Sequence, residues 1–351
     1  MLTPQHRVAI LMHDGIKTGR GKTGISLLRY GQMPVVAVID HQTAGQSLAD
    51  WTGIQNPAPI VASVNDALAY EPDVLAIGIA PSGGSLPEPL RQEVRAALAA
   101  GLSVVNGLHT SLADDPELRS LVTPPQWIWD VRREPEGLSV GSGRARSLAS
   151  RRILAVGTDM AVGKMSTGIE LHQAALSTGL RSAFVATGQT GLMLGYGGVA
   201  LDAVRIDFAS GAVEQAVLAQ GDDQDLVWIE GQGSFFNPAS TATLPLLRGS
   251  QPTHLVLVHR AGLTHIHNLP QILIPPLSRV VQIYEAVAAA GGAFTAPKIV
   301  AVALNTFGLT ESDARQAIAD VQDETQLPCT DVIRFGSAPI LDAILATEPA
   351  R

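Results

Sequence analysis

Along the chain, short unbroken apolar runs alternate with longer stretches in which apolar residues recur at helical spacing. Arg7–Met12, Val35–Asp40, Ile60–Ser63, Val74–Ala80 and Ser103–Gly107 read as strands. They are rich in Val, Ile and Ala without polar alternation, which fits strands covered on both faces of a parallel sheet. Between them, Lys22–Tyr30, Ala44–Trp51, Asn65–Tyr70 and Pro87–Ala100 read as helices, with Gly31 and Gly101 where C-terminal caps are expected. Trp127–Val131 reads as a last strand. The alternation predicts a Rossmann-like, doubly wound α/β sheet. Glu136–Ser150 is rich in Gly, Ser and Arg, lacks periodicity, and suits a linker.

The pattern then starts again. Arg152–Val156 reads as a buried strand and Met165–Thr178 as a helix. Strands are expected at Arg181–Ala186, Leu226–Ile229, His254–His259, Lys298–Leu304 and Val332–Phe335. Helices are expected at Asp207–Ala219, Pro276–Ala290 and Glu311–Thr325. The expected organisation is a Rossmann-like α/β domain over 1–140 and a P-loop NTPase-like parallel α/β domain over 141–351.

The 351 residues are 46% hydrophobic and 16% charged, ordinary values for a well-packed α/β protein. The net charge of −8, the absence of a basic block and 4% aromatics argue against a nucleic-acid partner. No apolar run reaches the ~18 residues of a membrane span, and no signal-peptide pattern opens the chain. A cytoplasmic protein with a small-molecule substrate is expected, without nucleic-acid or membrane partners; a homo-oligomer is compatible with the architecture. The single cysteine, Cys329, excludes an internal disulfide and reads as a small buried hydrophobe.

The candidate chemistry centres on Gly157-Thr158-Asp159-Met160-Ala161-Val162-Gly163-Lys164. A strand, a glycine-bounded loop, a lysine and then a helix make a phosphate cradle, because loop and helix-start N–H groups converge on one electropositive spot. Met165 departs from the usual Ser or Thr, and a thioether is a poor ligand for Mg²⁺; Ser166 is the nearest hydroxyl. Loops at strand ends supply Gln189 and Thr190, Glu230, Gln232 and Asn305. Glu230 follows an apolar strand, where a P-loop enzyme places an acidic metal-binding or base residue. No metal site is expected: His265-x-His267, with His259 nearby, lacks the third ligand.

In the first domain, Gly15–Thr23 spells a second P-loop-like string that reads either as an anion-contacting loop or as a plain mobile one. Asp40 ends the second strand without the preceding Gly-x-Gly-x-x-Gly turn of an NAD site. Pro81-Ser82-Gly83-Gly84-Ser85 is a candidate wall of a site, or a plain turn.

The motifs at 157–165, Thr187–Gly191 and Glu230–Ser234, together with Lys22-Thr23 and Leu28-Arg29-Tyr30, resemble the D-glutamate N-acetyltransferase-like family over nearly the whole chain. The resemblance implies transfer of an acetyl group from acetyl-CoA to the amino group of a small D-amino acid such as D-glutamate. Under it, the catalytic candidates are Glu230 as the base, Gln189 or loop N–H groups as oxyanion donors, and Lys164, which together with Gly157, Thr158, Asp159, Gly163, Ser166, Thr190, Gln232 and Asn305 also forms the cofactor site. The P-loop part is also similar to dethiobiotin synthetase, which has Thr after the lysine. That likeness leaves an ATP- and Mg-dependent ligase or carboxylase as the alternative, beside a non-catalytic nucleotide- or CoA-binding regulator.

Overall fold

The computed structural model describes residues 2–80, 86–293 and 295–349. The candidate wall at 81–85 lies outside them. The chain forms two compact units, Met1–Arg133 with Gln189–Tyr196, and Glu134–Gly188 with Gly197–Arg351.

The first unit carries strands β1 (Val8–Leu11), β2 (Val35–Ile39), β3 (Ile60–Val61), β4 (Val74–Ile77), β5 (Ser103–Asn106) and β6 (Ile128–Asp130). They pair in parallel in the order β3-β2-β1-β4-β5-β6. This is a Rossmann-like order, reversing beside β1, and such sheets hold ligands beyond the carboxyl ends of their strands. Every residue of β1 and β4 is buried, as their unbroken apolar composition requires. The helix Lys22–Tyr30 has the expected bounds. The expected helix Ala44–Trp51 is shorter, Leu48–Thr52, because Gly45 takes a left-handed φ of 77° ahead of it. Pro116–Leu121 forms a helix that periodicity did not reveal; the Asp115 carboxylate caps it by accepting from the Glu117 and Leu118 N–H groups.

The second unit holds β7 (Arg151–Gly157), β8 (Ser182–Val185), β9 (Leu226–Ile229), β10 (His254–Arg260), the hairpin β11 (His265–Ile266) and β12 (Leu269–Leu273), β13 (Lys298–Asn305) and β14 (Cys329–Thr330). Its main sheet is parallel, in the order β14-β13-β10-β7-β9-β8. β7 therefore lies inside the sheet, flanked by β9 and β10, and the loop that follows it is surrounded by the ends of other strands.

Two expectations are corrected here, and one helix is added. The last strand is Cys329–Thr330, and Val332–Phe335 is a turn held by the Asp331 carboxylate, which accepts from the Ile333 and Arg334 N–H groups at 3.0 and 3.2 Å. Asp207 lies in a single 3-10 turn, and the next helix begins at Ala209 without a side-chain cap. Thr243–Ser250 is helical, although Thr243, Pro245 and Gly249 blur its periodicity. Cys329 is buried, and burial with the nearby Asp331 charge pushes its thiol up to about 12, so it is an inert hydrophobe. No helix among the described residues is long and apolar enough to cross a membrane.

Candidate functional site

β7 runs into the loop Thr158–Gly163, and the helix Lys164–Ser177 starts directly after it. Gly163 takes a left-handed φ of 116°, a conformation that a side chain at this position would resist. The helix buries Lys164, Gly168, Leu171 and Ala175, one face at helical spacing, which aims its N-terminus back over the end of β7. The N–H groups of a first helical turn have no intrahelical acceptors, and a helix N-terminus is electropositive.

The loop is clamped from several directions. Asp159 is fully buried and accepts three hydrogen bonds, from the Met160 N–H at 2.6 Å, the Asn237 amide at 2.7 Å and the His267 N–H at 2.6 Å. Thr158 is fully buried too, with its hydroxyl 2.8 Å from His259 Nδ1. Burial pushes His259 down to about 4, which keeps that ring neutral near pH 7. The Ser234 hydroxyl donates to the Thr158 carbonyl at 2.9 Å, Tyr284 OH to the Gly157 carbonyl at 2.7 Å, and the Asn305 amide to the Val162 carbonyl at 3.1 Å. The side chains of Thr158, Asp159 and Asn305 thus brace the loop. Its exposed surface is left to Met160, Ala161 and the main chain.

Lys164 folds back so that its Nζ donates to the Asp159 carbonyl at 2.7 Å. A Cβ at Gly157 would stand 3.0 Å from that Nζ, so the lysine lies close over the glycine. A Cβ at Gly231 would meet the Ala155 carbonyl oxygen at 1.7 Å and Lys164 Cδ at 3.0 Å, which leaves no room for a side chain there.

Glu230 stands at the end of β9, buried beside this lysine. Its Oε2 accepts from the Thr187 N–H at 2.8 Å and the Gly188 N–H at 3.1 Å, while the Thr187 hydroxyl donates to the Glu230 carbonyl at 2.8 Å. Burial raises its pKa most. The two N–H groups pull it back, Asp202 adds repulsion and Lys164 attraction, and the carboxyl ends pushed up to about 7. Gln232 is half-buried, and its amide donates to the Thr187 carbonyl. One compact set thus joins Glu230 and Gln232 through the Thr187-Gly188 main chain, with the Lys164 charge acting on Glu230.

Ser166 is half-buried on the first turn of the helix. Gln189 and Thr190 belong to the first unit, where Gln189–Met193 is a helix rather than the expected loop. There the Thr190 hydroxyl lies 3.3 Å from that of Thr23. Gln189 packs so tightly over Gly107 that a Cβ at Gly107 would come within 3.0 Å of its Cγ. Sequence reasoning missed Asn237, Tyr284 and the Thr187 and Gly188 N–H groups. Asn237 is seven residues beyond Glu230 in an ordered run of glycines and aromatics, a weak signal; Tyr284 carries none.

Residues 139–341 match the family model described as "Domain of unknown function (DUF1611_C) P-loop domain", and residues 41–134 the corresponding DUF1611_N Rossmann-like domain. A protein named D-glutamate N-acetyltransferase from Tritonibacter scottomollicae is 34% identical over 286 residues, 81% of this chain and 84% of that protein. Another of the same name from Pseudoalteromonas sp. is 31% identical over 324 residues, covering 86% of this chain and 92% of its own. A crystal structure of a DUF1611 family protein from Anabaena variabilis ATCC 29413 is 59% identical, with a TM-score of 0.96, covering 98% of this chain and all of that one. The buried clamp on the P-loop therefore sits in a chain that belongs to the DUF1611 family, with its Rossmann-like N-terminal and P-loop C-terminal domains.

Proposed function

We propose that the chain is an N-acetyltransferase that moves an acetyl group from acetyl-CoA to the amino group of a small D-amino acid such as D-glutamate. The observation that carries this reading is Glu230, a carboxyl buried beside Lys164 and pushed up to about 7. A general base is most effective when its pKa lies near the working pH. Acetyl transfer needs such a base, because the acceptor enters as an ammonium ion. Glu230 takes the ammonium proton, the freed amine attacks the thioester carbonyl, and the carbon–sulfur bond breaks to leave an amide and the CoA thiol. The names of the two curated relatives support the same chemistry.

CoA carries phosphates but needs no metal to be held. The Gly157–Gly163 loop and the Lys164 ammonium, whose Nζ donates to the Asp159 carbonyl at 2.7 Å, suit such a ligand. The ligase alternative asks for Mg²⁺ donors that are poorly provided. A thioether follows Lys164, where the hydroxyl that binds Mg²⁺ usually stands.

A thermal-shift panel of acetyl-CoA, CoA, ATP and GTP, each with and without Mg²⁺, tests the reading. Acetyl-CoA at 100 times its dissociation constant is expected to stabilise by about 2.7 kcal/mol, independent of Mg²⁺, and mass spectrometry should find N-acetylglutamate from D-glutamate. Stabilisation by ATP alone, and only with Mg²⁺, would overturn it. Lys164→Ala removes one charge-assisted contact and is expected to weaken acetyl-CoA binding roughly 10- to 100-fold by calorimetry. Unchanged affinity would reject the cradle.

A further inference from the structure

The first unit carries a second chemical centre that the acetyl-transfer reading does not use. β1 and β2 are neighbours, with Leu11 paired to Ile39, so the residues that follow each strand emerge side by side. His13 follows β1, and Asp40 and His41 follow β2, at the carboxyl ends where open α/β sheets hold ligands. After His13 the chain turns sharply: Asp14 takes a left-handed φ of 58°, and the Gly15 N–H donates to the Met12 carbonyl at 2.7 Å.

This turn brings the His13 and His41 Nδ1 atoms to 3.1 Å from each other, and donor atoms of His13, Asp40 and His41 all lie within 4.8 Å. Two imidazole nitrogens bound tetrahedrally to one zinc ion, each at about 2.0–2.1 Å, stand about 3.3 Å apart. The observed 3.1 Å is within a few tenths of an ångström of that spacing.

The outer contacts fit as well. His13 Nε2 lies 3.2 Å from Glu93 Oε1, and the other Glu93 oxygen accepts from the Val64 N–H at 2.7 Å. An ionised carboxylate only accepts, so it places the His13 proton on Nε2; the Nδ1 lone pair accepts from the His41 main-chain N–H at 3.2 Å, a bond that an ion would replace. A carboxylate behind a histidine ligand is the usual support of a metal-bound imidazole. Asp40 is buried and oriented, with Oδ2 accepting from the Thr43 hydroxyl at 2.6 Å and Oδ1 from the Asp14 N–H at 3.2 Å. His41 has about half of its side chain exposed, which gives an ion a way in.

We propose that His13, His41 and Asp40 bind a divalent first-row transition ion, zinc or a neighbour in that series. Two nitrogens and one carboxylate oxygen suit zinc, and three protein ligands leave a position for water or for the carboxylate of a small ligand. This site stands apart from the acetyltransferase reading, and its test does not use activity.

The full chain, stripped with a chelator, is titrated with Zn²⁺ against a chromophoric chelator and with Co²⁺ by visible absorption. One equivalent of Zn²⁺ is expected to bind at micromolar concentration or below, with a Co²⁺ d–d band. His41→Ala, at a half-exposed position, should fold and weaken binding by more than roughly 100-fold, and Glu93→Gln should weaken it roughly 10- to 100-fold. His265→Ala should change nothing. No binding at millimolar Zn²⁺, or equal affinity in folded His41→Ala, overturns the proposal. His13→Asn repeats the test at the buried ligand if its melting curve matches the parent's.

Discussion

Glu230→Gln is expected to lower the rate of acetyl transfer by roughly 10²- to 10⁴-fold, the range a positioned general base supplies. It should also remove an ionisation from the pH profile. In the parent, the free base is the active form, so kcat/KM should rise with pH and level off above about 7, where Glu230 ionises. The glutamine variant should lose that limb. A variant with full activity, or a parent profile flat from pH 5 to 8, would remove Glu230 from the mechanism.

The same carboxyl makes a stability statement with a definite sign. Its folded pKa is raised from 4.5 to about 7 because burial favours the neutral acid. A group raised in this way contributes stability that is complete below pH 4.5 and lost as pH climbs through 7, on the order of 3 kcal/mol for a shift of this size. Glutamine is neutral throughout and can still accept from the Thr187 and Gly188 N–H groups. The variant is therefore expected to melt above the parent at pH 8 and close to it at pH 5. An inactive protein that is more stable at alkaline pH is the signature of a functional group held in an unfavourable place. A Glu230→Gln protein melting below the parent at pH 8 would contradict the buried ionisation.

The second large effect is expected at Asp159. Replacing it with alanine strips the acceptor from Met160 N–H, Asn237 Nδ2 and His267 N–H inside a fully buried setting. Each of the three orphaned donors costs about 1–3 kcal/mol, so a loss of roughly 3–9 kcal/mol and a fall in the melting midpoint on the order of 10 °C or more are expected. Acetyl-CoA affinity should fall with it, because the loop loses its clamp. A denaturant melt reads the first effect. A loss below 1 kcal/mol would mean that the three donors find other partners.

Much of the fold was legible because the evidence for it is local. The unbroken apolar runs of Val74–Ile77 and Leu226–Ile229 announce strands buried on both faces, and the helix Glu311–Thr325 declares its own bounds. The phosphate cradle was legible for the same reason, since strand, loop, lysine and helix are contiguous. What escaped depends on partners far along the chain. Gln189–Met193 read as a loop because two glycines flank or interrupt it, yet it coils where it packs on the helix Lys22–Tyr30. Val332–Phe335 read as a strand by composition, yet Asp331 accepts local N–H groups and also the Thr306 hydroxyl at 2.6 Å, and a turn results. The position of Glu230 was visible from its strand. Its raised pKa was not, because it depends on burial and on the Thr187 and Gly188 donors, 43 and 42 residues away. Asp159 shows the reverse: its place in the motif suggested a ligand contact, and its environment makes it a brace.

The excursion of Gln189–Tyr196 has a consequence for how such a protein can be divided. The chain leaves its second unit at Gly188, supplies the first with the buried Met193 and with Thr190 beside Thr23, and returns at Gly197. Severing the chain after Arg133 would therefore release an amino-terminal fragment missing one of its own helices and a carboxy-terminal fragment bearing that helix as an unpartnered insertion. A dividing point in the sequence is therefore not a dividing point in the packing, and a fragment made to study either unit needs the eight residues 189–196 with the first.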